Sequence, residues 1–189
     1  RMDIREHSVA LISVVIGLGL TSLLGNFNRL MRRRGEIRWD ALPLAWALIA
    51  LMLVNNYWWG VYLGMVASTA VANVGDFALS LLYPILLYLI CAAALPDARL
   101  LRDGRDLLKA YFAESRYFFI LIVLYVFATG AGTAMHAGEF QMNEHMWLRL
   151  IFISVCAPLI WTRKPRLHWL AAAVVSAIML FVLFEMALH

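Results

Sequence analysis

An arginine inside an apolar stretch, Arg149, is the residue of this sequence with the most evident capacity for chemistry. It follows His145 by four residues, which places both on one face of a helix. A charged side chain within a membrane segment usually faces the helix bundle or a watery cavity and has a partner. The expected partners of Arg149 lie near the same depth: Glu144, His145, Glu6, Asp76 and Glu185. The alternative is a guanidinium that extends to the lipid headgroups.

Such a charge-paired cluster predicts a gate or a solute contact in a transport protein. Asn55 and Asn56 belong with it, because an amide buried in a membrane costs free energy unless it is paired. We therefore expect both asparagines to contact another helix or water. The predicted transport residues are Arg149, Asp76, Glu6, His7, Asn55, Asn56 and Glu185.

A second cluster combines carboxylates with imidazoles. His136 and Glu139 share a predicted loop with Glu144 and His145. Groups of this type bind transition metals, and an acidic vestibule concentrates cations. The metal-binding HExxH spacing is absent, so a solvated polar loop is the alternative. No cofactor and no catalytic residue is indicated.

The elements that must position these residues are predicted from the arginines. Of the 16 Lys and Arg residues, thirteen fall in the stretches 29–38, 99–116 and 163–166, each between apolar segments. Cytoplasmic loops of membrane proteins retain Lys and Arg. This pattern predicts both termini on the periplasmic side of what we expect to be a bacterial inner membrane. With this orientation, the outer mouth of the protein is predicted to be acidic and to carry histidines.

Composition supports a membrane protein. The chain is 63% hydrophobic and 15% charged, whereas soluble domains average about 45–50% apolar and about 25% charged. A membrane-spanning helix needs about 20 largely apolar residues. We therefore predict one all-α domain over 1–189 with six transmembrane helices and short loops, and an amphipathic helix on the cytoplasmic surface between helices 3 and 4. The predicted spans are 8–25, 40–62, 74–95, 117–133, 144–161 and 167–188.

Two further features concern contacts with other molecules. Ser13, Gly17, Thr21 and Gly25 recur every fourth position, which predicts a face for close helix packing, within the chain or in a homo-oligomer. The formal charge of +4 lies beside apolar spans. Attraction to anionic lipid headgroups on the cytoplasmic side explains it more simply than nucleic-acid binding.

Three hypotheses about function follow. The leading one is a channel or transporter for a cation or small solute. The alternatives are a membrane-embedded enzyme that binds a metal or cofactor at its outer surface, and a structural or signalling subunit of a membrane complex. No lysine lies within a predicted span, which argues against a retinal Schiff base, and no P-loop or dinucleotide-binding motif occurs.

Overall fold

The computed structural model describes residues 4–62, 74–97, 106–137 and 144–188, with side chains at 9–62, 81–97, 106–132 and 146–185. Within these ranges the chain is helical, and the prediction of an all-α fold is confirmed. The helices are α1 (Ile4–Arg32), α2 (Ala41–Tyr62), α3 (Val74–Ala93), α4 (Leu107–Ala137), α5 (Glu144–Cys156) and α6 (Pro165–Leu188). A 3₁₀ turn, Ala157–Ile160, follows α5.

Among the described residues, four helices are long and apolar enough to cross a membrane: Val9–Arg32, Ala41–Tyr62, Leu107–Gly132 and Pro165–Glu185. The segments Leu81–Ala93 and Met146–Ile160 are shorter apolar helices. Large apolar side chains also point outward, among them Leu170 at 66% exposure and Phe127 at 64%. Extended apolar surfaces of this kind are rare on water-soluble monomers. The protein is therefore a membrane protein with transmembrane helices.

Two helices extend beyond their predicted limits. The helix α1 continues through Arg32, past the predicted end at residue 25. The amphipathic segment predicted between helices 3 and 4, which could be separate from helix 4 or continuous with it, is from Leu107 onward the beginning of α4. Neither glycine nor proline interrupts the chain between Leu107 and Tyr117, so the helix propagates through both segments.

Asp40 and Pro158 set the ends of two helices. Asp40 caps α2, because its carboxylate Oδ1 accepts a hydrogen bond from the backbone N–H of Leu42 at 2.8 Å. Pro158 lies in the 3₁₀ turn that ends the fifth helical segment. Proline cannot donate the backbone hydrogen bond that an α-helix requires there, and its ring opposes the preceding turn.

Hydrogen bonds join four helix ends on one side of the bundle. The Asn26 side chain of α1 donates from Nδ2 to the carbonyls of Ala92 and Leu95, at 3.4 Å each. The backbone N–H of Leu107 donates to the Arg38 carbonyl at 3.2 Å. The C-terminal ends of α1 and α3 and the N-terminal ends of α2 and α4 therefore lie together.

The start of α6 joins the same side. The imidazole of His168 is hydrogen-bonded to the Tyr111 hydroxyl of α4 and to the Thr162 carbonyl after the 3₁₀ turn, both at 2.8 Å. The described members of the three basic stretches thus share one end of the bundle, which we call the basic end. Its counterpart, where α1, α3 and α5 begin, is the opposite end.

Helix neighbours do not follow chain order. The helix α1 packs chiefly on α3, and α2 packs on α6, α3 and α4. Since α1 and α3 both run toward the basic end, they are parallel neighbours, as are α2 and α6. Gly19 permits the α1–α3 contact, because a Cβ atom there would lie 3.1 Å from the Tyr88 Cα. Trp46 of α2, fully buried, packs its ring edge-on against Phe119 at 4.7 Å.

The predicted small-residue face of α1 is turned away from that contact. Gly17 and Thr21 are exposed, and no atom lies within 4 Å of a Cβ built on Gly17. Ser13 and Gly25 are half-buried. The described residues therefore leave this face largely uncovered, while Ile12, Ile16 and other residues on another face of α1 are buried.

Candidate functional site

Arg149 lies in the second turn of α5, near the opposite end, and its side chain is half-buried. It extends along α4, since a Cβ on Gly130 would lie 3.6 Å from the Arg149 Cδ and 3.8 Å from its Nη1. The guanidinium interacts electrostatically with Tyr125 of α4 and Tyr83 of α3. The charge is thus placed between three helices.

A second glycine, Gly132, leaves the space that the Tyr83 hydroxyl occupies. A Cβ atom on Gly132 would overlap the Tyr83 hydroxyl, so the site requires glycine there unless Tyr83 moves. Tyr57 of α2 adds a further ring, with its centroid 6.5 Å from that of Tyr83 and the planes tilted by 58°. All three tyrosines are buried. We call Arg149, Tyr57, Tyr83 and Tyr125 the tyrosine–arginine cluster; it joins α2, α3, α4 and α5.

Few of the described charged side chains lie at this end of the bundle. Among the charged residues whose side chains are described, Arg149 and Glu185 are the two that lie away from the basic end. Glu185 belongs to α6 and is half-buried. Its Oε2 atom is buried and forms no hydrogen bond with the described residues. Arg149 and Glu185 are ionisable residues within helical segments of a membrane protein, where an ionisable side chain costs free energy.

The other predicted transport residues are only partly located. Asn55 is exposed on α2 and Asn56 is half-buried. Glu6 and Asp76 lie in the first turns of α1 and α3, hence at the opposite end, as does His7. The side chains of Glu6, His7 and Asp76 fall outside the described residues, so their pairing with Arg149 stays a prediction.

The predicted metal ligands share that status. His136 lies in the last turn of α4, and Glu144 and His145 begin α5, but their side chains are outside the described set, as is Glu139 altogether. In the part of the chain with described side chains, no three His, Cys, Asp or Glu residues form a metal site. Cys91 and Cys156 are free, buried thiols.

A buried polar pair at the basic end has a different character. A carbonyl only accepts, so the Nε2–H of His168 donates to Thr162 and its Nδ1 accepts from the Tyr111 hydroxyl. The rings of Phe112 and Phe119 stand edge-on to the imidazole at 5.0 and 5.3 Å. Because both nitrogens of the neutral imidazole are used, His168 serves to connect α4, α6 and the 3₁₀ turn.

The sequence did not predict that the three tyrosines of the cluster, or the two glycines beside it, belong to the site. The pair Gly130 and Gly132 was the available signal, since small residues in membrane helices mark close approach of a neighbouring group. The tyrosines carry no such signal, because aromatic residues are frequent in membrane helices for their affinity for the headgroup region.

Known proteins supply no relative from which a role can be transferred. No family model matches the chain, and neither a curated protein nor a solved structure is similar to it. Interpretation of the site therefore rests on the chemistry of Arg149 and the three tyrosines.

Proposed function

We propose that this protein transports a small solute and that the tyrosine–arginine cluster is the solute contact. The observation that carries the proposal is the position of the Arg149 guanidinium between α3, α4 and α5. A charged side chain within a membrane segment is costly and usually has a partner or a functional role. Arg149 lies against Gly130 and interacts with buried tyrosines, and a charged side chain placed in this way is typical of a functional residue rather than of a packing residue.

In this proposal the transporter has six membrane-spanning segments, namely the four long helices together with α3 and α5. The helix α3 has 20 residues, a length of about 30 Å at 1.5 Å per residue. The 13 residues of α5 and the 4 residues of the 3₁₀ turn together reach about 27 Å. Both lengths approach the hydrocarbon thickness of about 30 Å.

The orientation of the bundle follows from the basic end. Because Lys and Arg are retained in the cytoplasm, we assign this end to the cytoplasmic face of a bacterial inner membrane, against anionic headgroups. The opposite end, where α1 begins and α6 ends, then faces the periplasm. Solute would reach Arg149 from that side, past the acids and histidines of the outer mouth.

Asp76 is the partner of Arg149 that we favour in the empty site. It precedes Tyr83 by seven residues in α3, and residues at this spacing share a helix face. A pair with Asp76 would hold Arg149 until solute arrives, so that the two together act as a gate. Glu185 is the second acid of the proposed pathway.

A homo-oligomer completes the proposal. Six helices enclose little volume, and the face of α1 that carries Gly17 and Thr21 is exposed in the single chain. Small residues allow two helices to approach closely in a membrane. The same face of a second copy is therefore the partner we assign to it.

The test is flux into liposomes containing the purified protein, measured for potassium, sodium, amino acids and small carboxylates. We expect uptake of at least one solute, its loss in Arg149→Gln, and its retention in Arg116→Gln. Arg116 is the matched control because it is exposed near the basic end. Chromatography and circular dichroism establish that each variant folds. Wild-type protein that behaves as empty liposomes for every solute would refute transport.

A further inference from the structure

We infer that the tyrosine–arginine cluster binds the carboxylate of a small organic monoanion with an apolar body. The inference deepens the proposed function, since it assigns the chemical class of the solute, and it can be tested by binding alone. It requires only that an incoming carboxylate take the place of whatever group pairs with Arg149 in the empty protein.

The charge and shape of the guanidinium select a carboxylate. Arg149 presents a planar fork of N–H donors that matches the two oxygens of a carboxylate. The fork lies against Gly130 of α4, since a Cβ there would be 3.8 Å from the Arg149 Nη1, and the guanidinium interacts electrostatically with Tyr83 and Tyr125. A cationic solute would meet repulsion here, which separates this site from the acidic mouth predicted from the sequence.

Charge balance favours a single negative charge. The described side chains provide one cation in this region, Arg149, and the nearest described acid on that side of the bundle is Glu185. Beside Arg149 and Glu185, a monoanion adds one negative charge away from water, whereas phosphate dianion adds two. Burial of an unpaired ion costs several kcal/mol. The site therefore suits a carboxylate better than phosphate.

The walls of the cluster suit an apolar body. Tyr57, Tyr83 and Tyr125 are 3%, 6% and 6% exposed and contribute large aromatic surfaces. The Tyr57 and Tyr83 rings are tilted by 58° to each other, and aromatic rings favour edge-to-face contact with one another. Benzoate combines a carboxylate with such a body and is the probe we choose.

The experiment measures the thermal unfolding of the detergent-purified protein in sodium benzoate, acetate, chloride and phosphate at equal ionic strength. We expect benzoate to raise Tm in a saturable manner, with a smaller effect of acetate. In Arg149→Gln the apparent affinity for benzoate should fall about 30-fold or more, the loss typical of a broken buried charge pair. Arg149→Lys retains the charge without the fork and should lose less.

Two further variants test whether benzoate binds at the cluster. Tyr125→Phe removes one hydroxyl beside the guanidinium and should weaken benzoate several-fold. Arg116→Gln changes the same charge at an exposed position near the other end and should leave the benzoate response unchanged.

Several results would overturn the inference. Equal benzoate responses in wild type and Arg149→Gln would place binding elsewhere, and a wild type indifferent to both carboxylates would exclude the site. A stronger response to phosphate or chloride would exclude an organic monoanion. The flux assay and the binding assay can fail independently. If benzoate binds but no solute is transported, transport is refuted and the carboxylate site stands. If potassium is transported but no carboxylate binds, this inference is refuted and transport stands.

Discussion

The connection between Tyr111 and His168 predicts a defined loss of stability for Tyr111→Phe. Tyr111 is 4% exposed and His168 fully buried, and their hydrogen bond measures 2.8 Å. Phenylalanine keeps the ring and its edge-on contact with Phe112, whose centroid lies 5.1 Å away. The lost hydroxyl leaves the Nδ1 acceptor of His168 buried and unpaired, which costs about 1–3 kcal/mol.

The assay is equilibrium unfolding of the purified protein in mixed micelles of mild detergent and sodium dodecyl sulfate, followed by circular dichroism. Tyr117→Phe is the control, because Tyr117 lies in the same helix but is 52% exposed; its change should stay within about 0.5 kcal/mol. A double-mutant cycle with His168→Phe should give a coupling energy of about 0.5–3 kcal/mol. If Tyr111→Phe and Tyr117→Phe unfold at the same fraction of sodium dodecyl sulfate, the hydrogen bond does not stabilise the fold and our reasoning fails.

Two other substitutions test close contacts. Gly132→Ala forces Tyr83 to move and should destabilise the protein by about 1–3 kcal/mol; adding Tyr83→Phe should restore part of the loss, since only the Cζ contact at 3.2 Å then remains. Unfolding titrations that show no rescue would argue against this overlap. Gly17→Leu points into open space and should leave the stability of the monomer unchanged while abolishing self-association, measured by subunit counting in liposomes. Equal association of variant and wild type would remove this face as the interface.

Local features of the fold are predictable from the sequence because they depend on nearby residues. The Asp40 cap follows from a carboxylate directly before an apolar run, and the segregation of arginines follows from the cost of moving charge across a membrane. The continuity of α4 through Arg116 is harder to predict, because an amphipathic segment suits a surface helix and the first turns of a spanning helix equally well.

The composition of the candidate site depends on packing between distant segments. Arg149 is predictable as an exception among the arginines, but its neighbours Tyr83 and Tyr125 are not adjacent to it in sequence. Their approach follows from α4 lying beside both α3 and α5, an arrangement that no spacing within one helix encodes. The glycines at 130 and 132 are intelligible only once the side chains that fill their space are known.

The parallel pairing of α1 with α3 has a consequence for how the protein is made. The ribosome delivers α1 and α2 before α3, yet the main docking surface of α1 is on α3, and the acceptors of the Asn26 amide are Ala92 and Leu95. Until Leu95 has been synthesised, the Asn26 Nδ2 group must therefore use another acceptor, although its Oδ1 atom can already accept from Arg29 of the same helix. Helices that insert independently associate afterwards, so α1 docks late. A chain that stalls before Leu95 would expose this asparagine to membrane quality control.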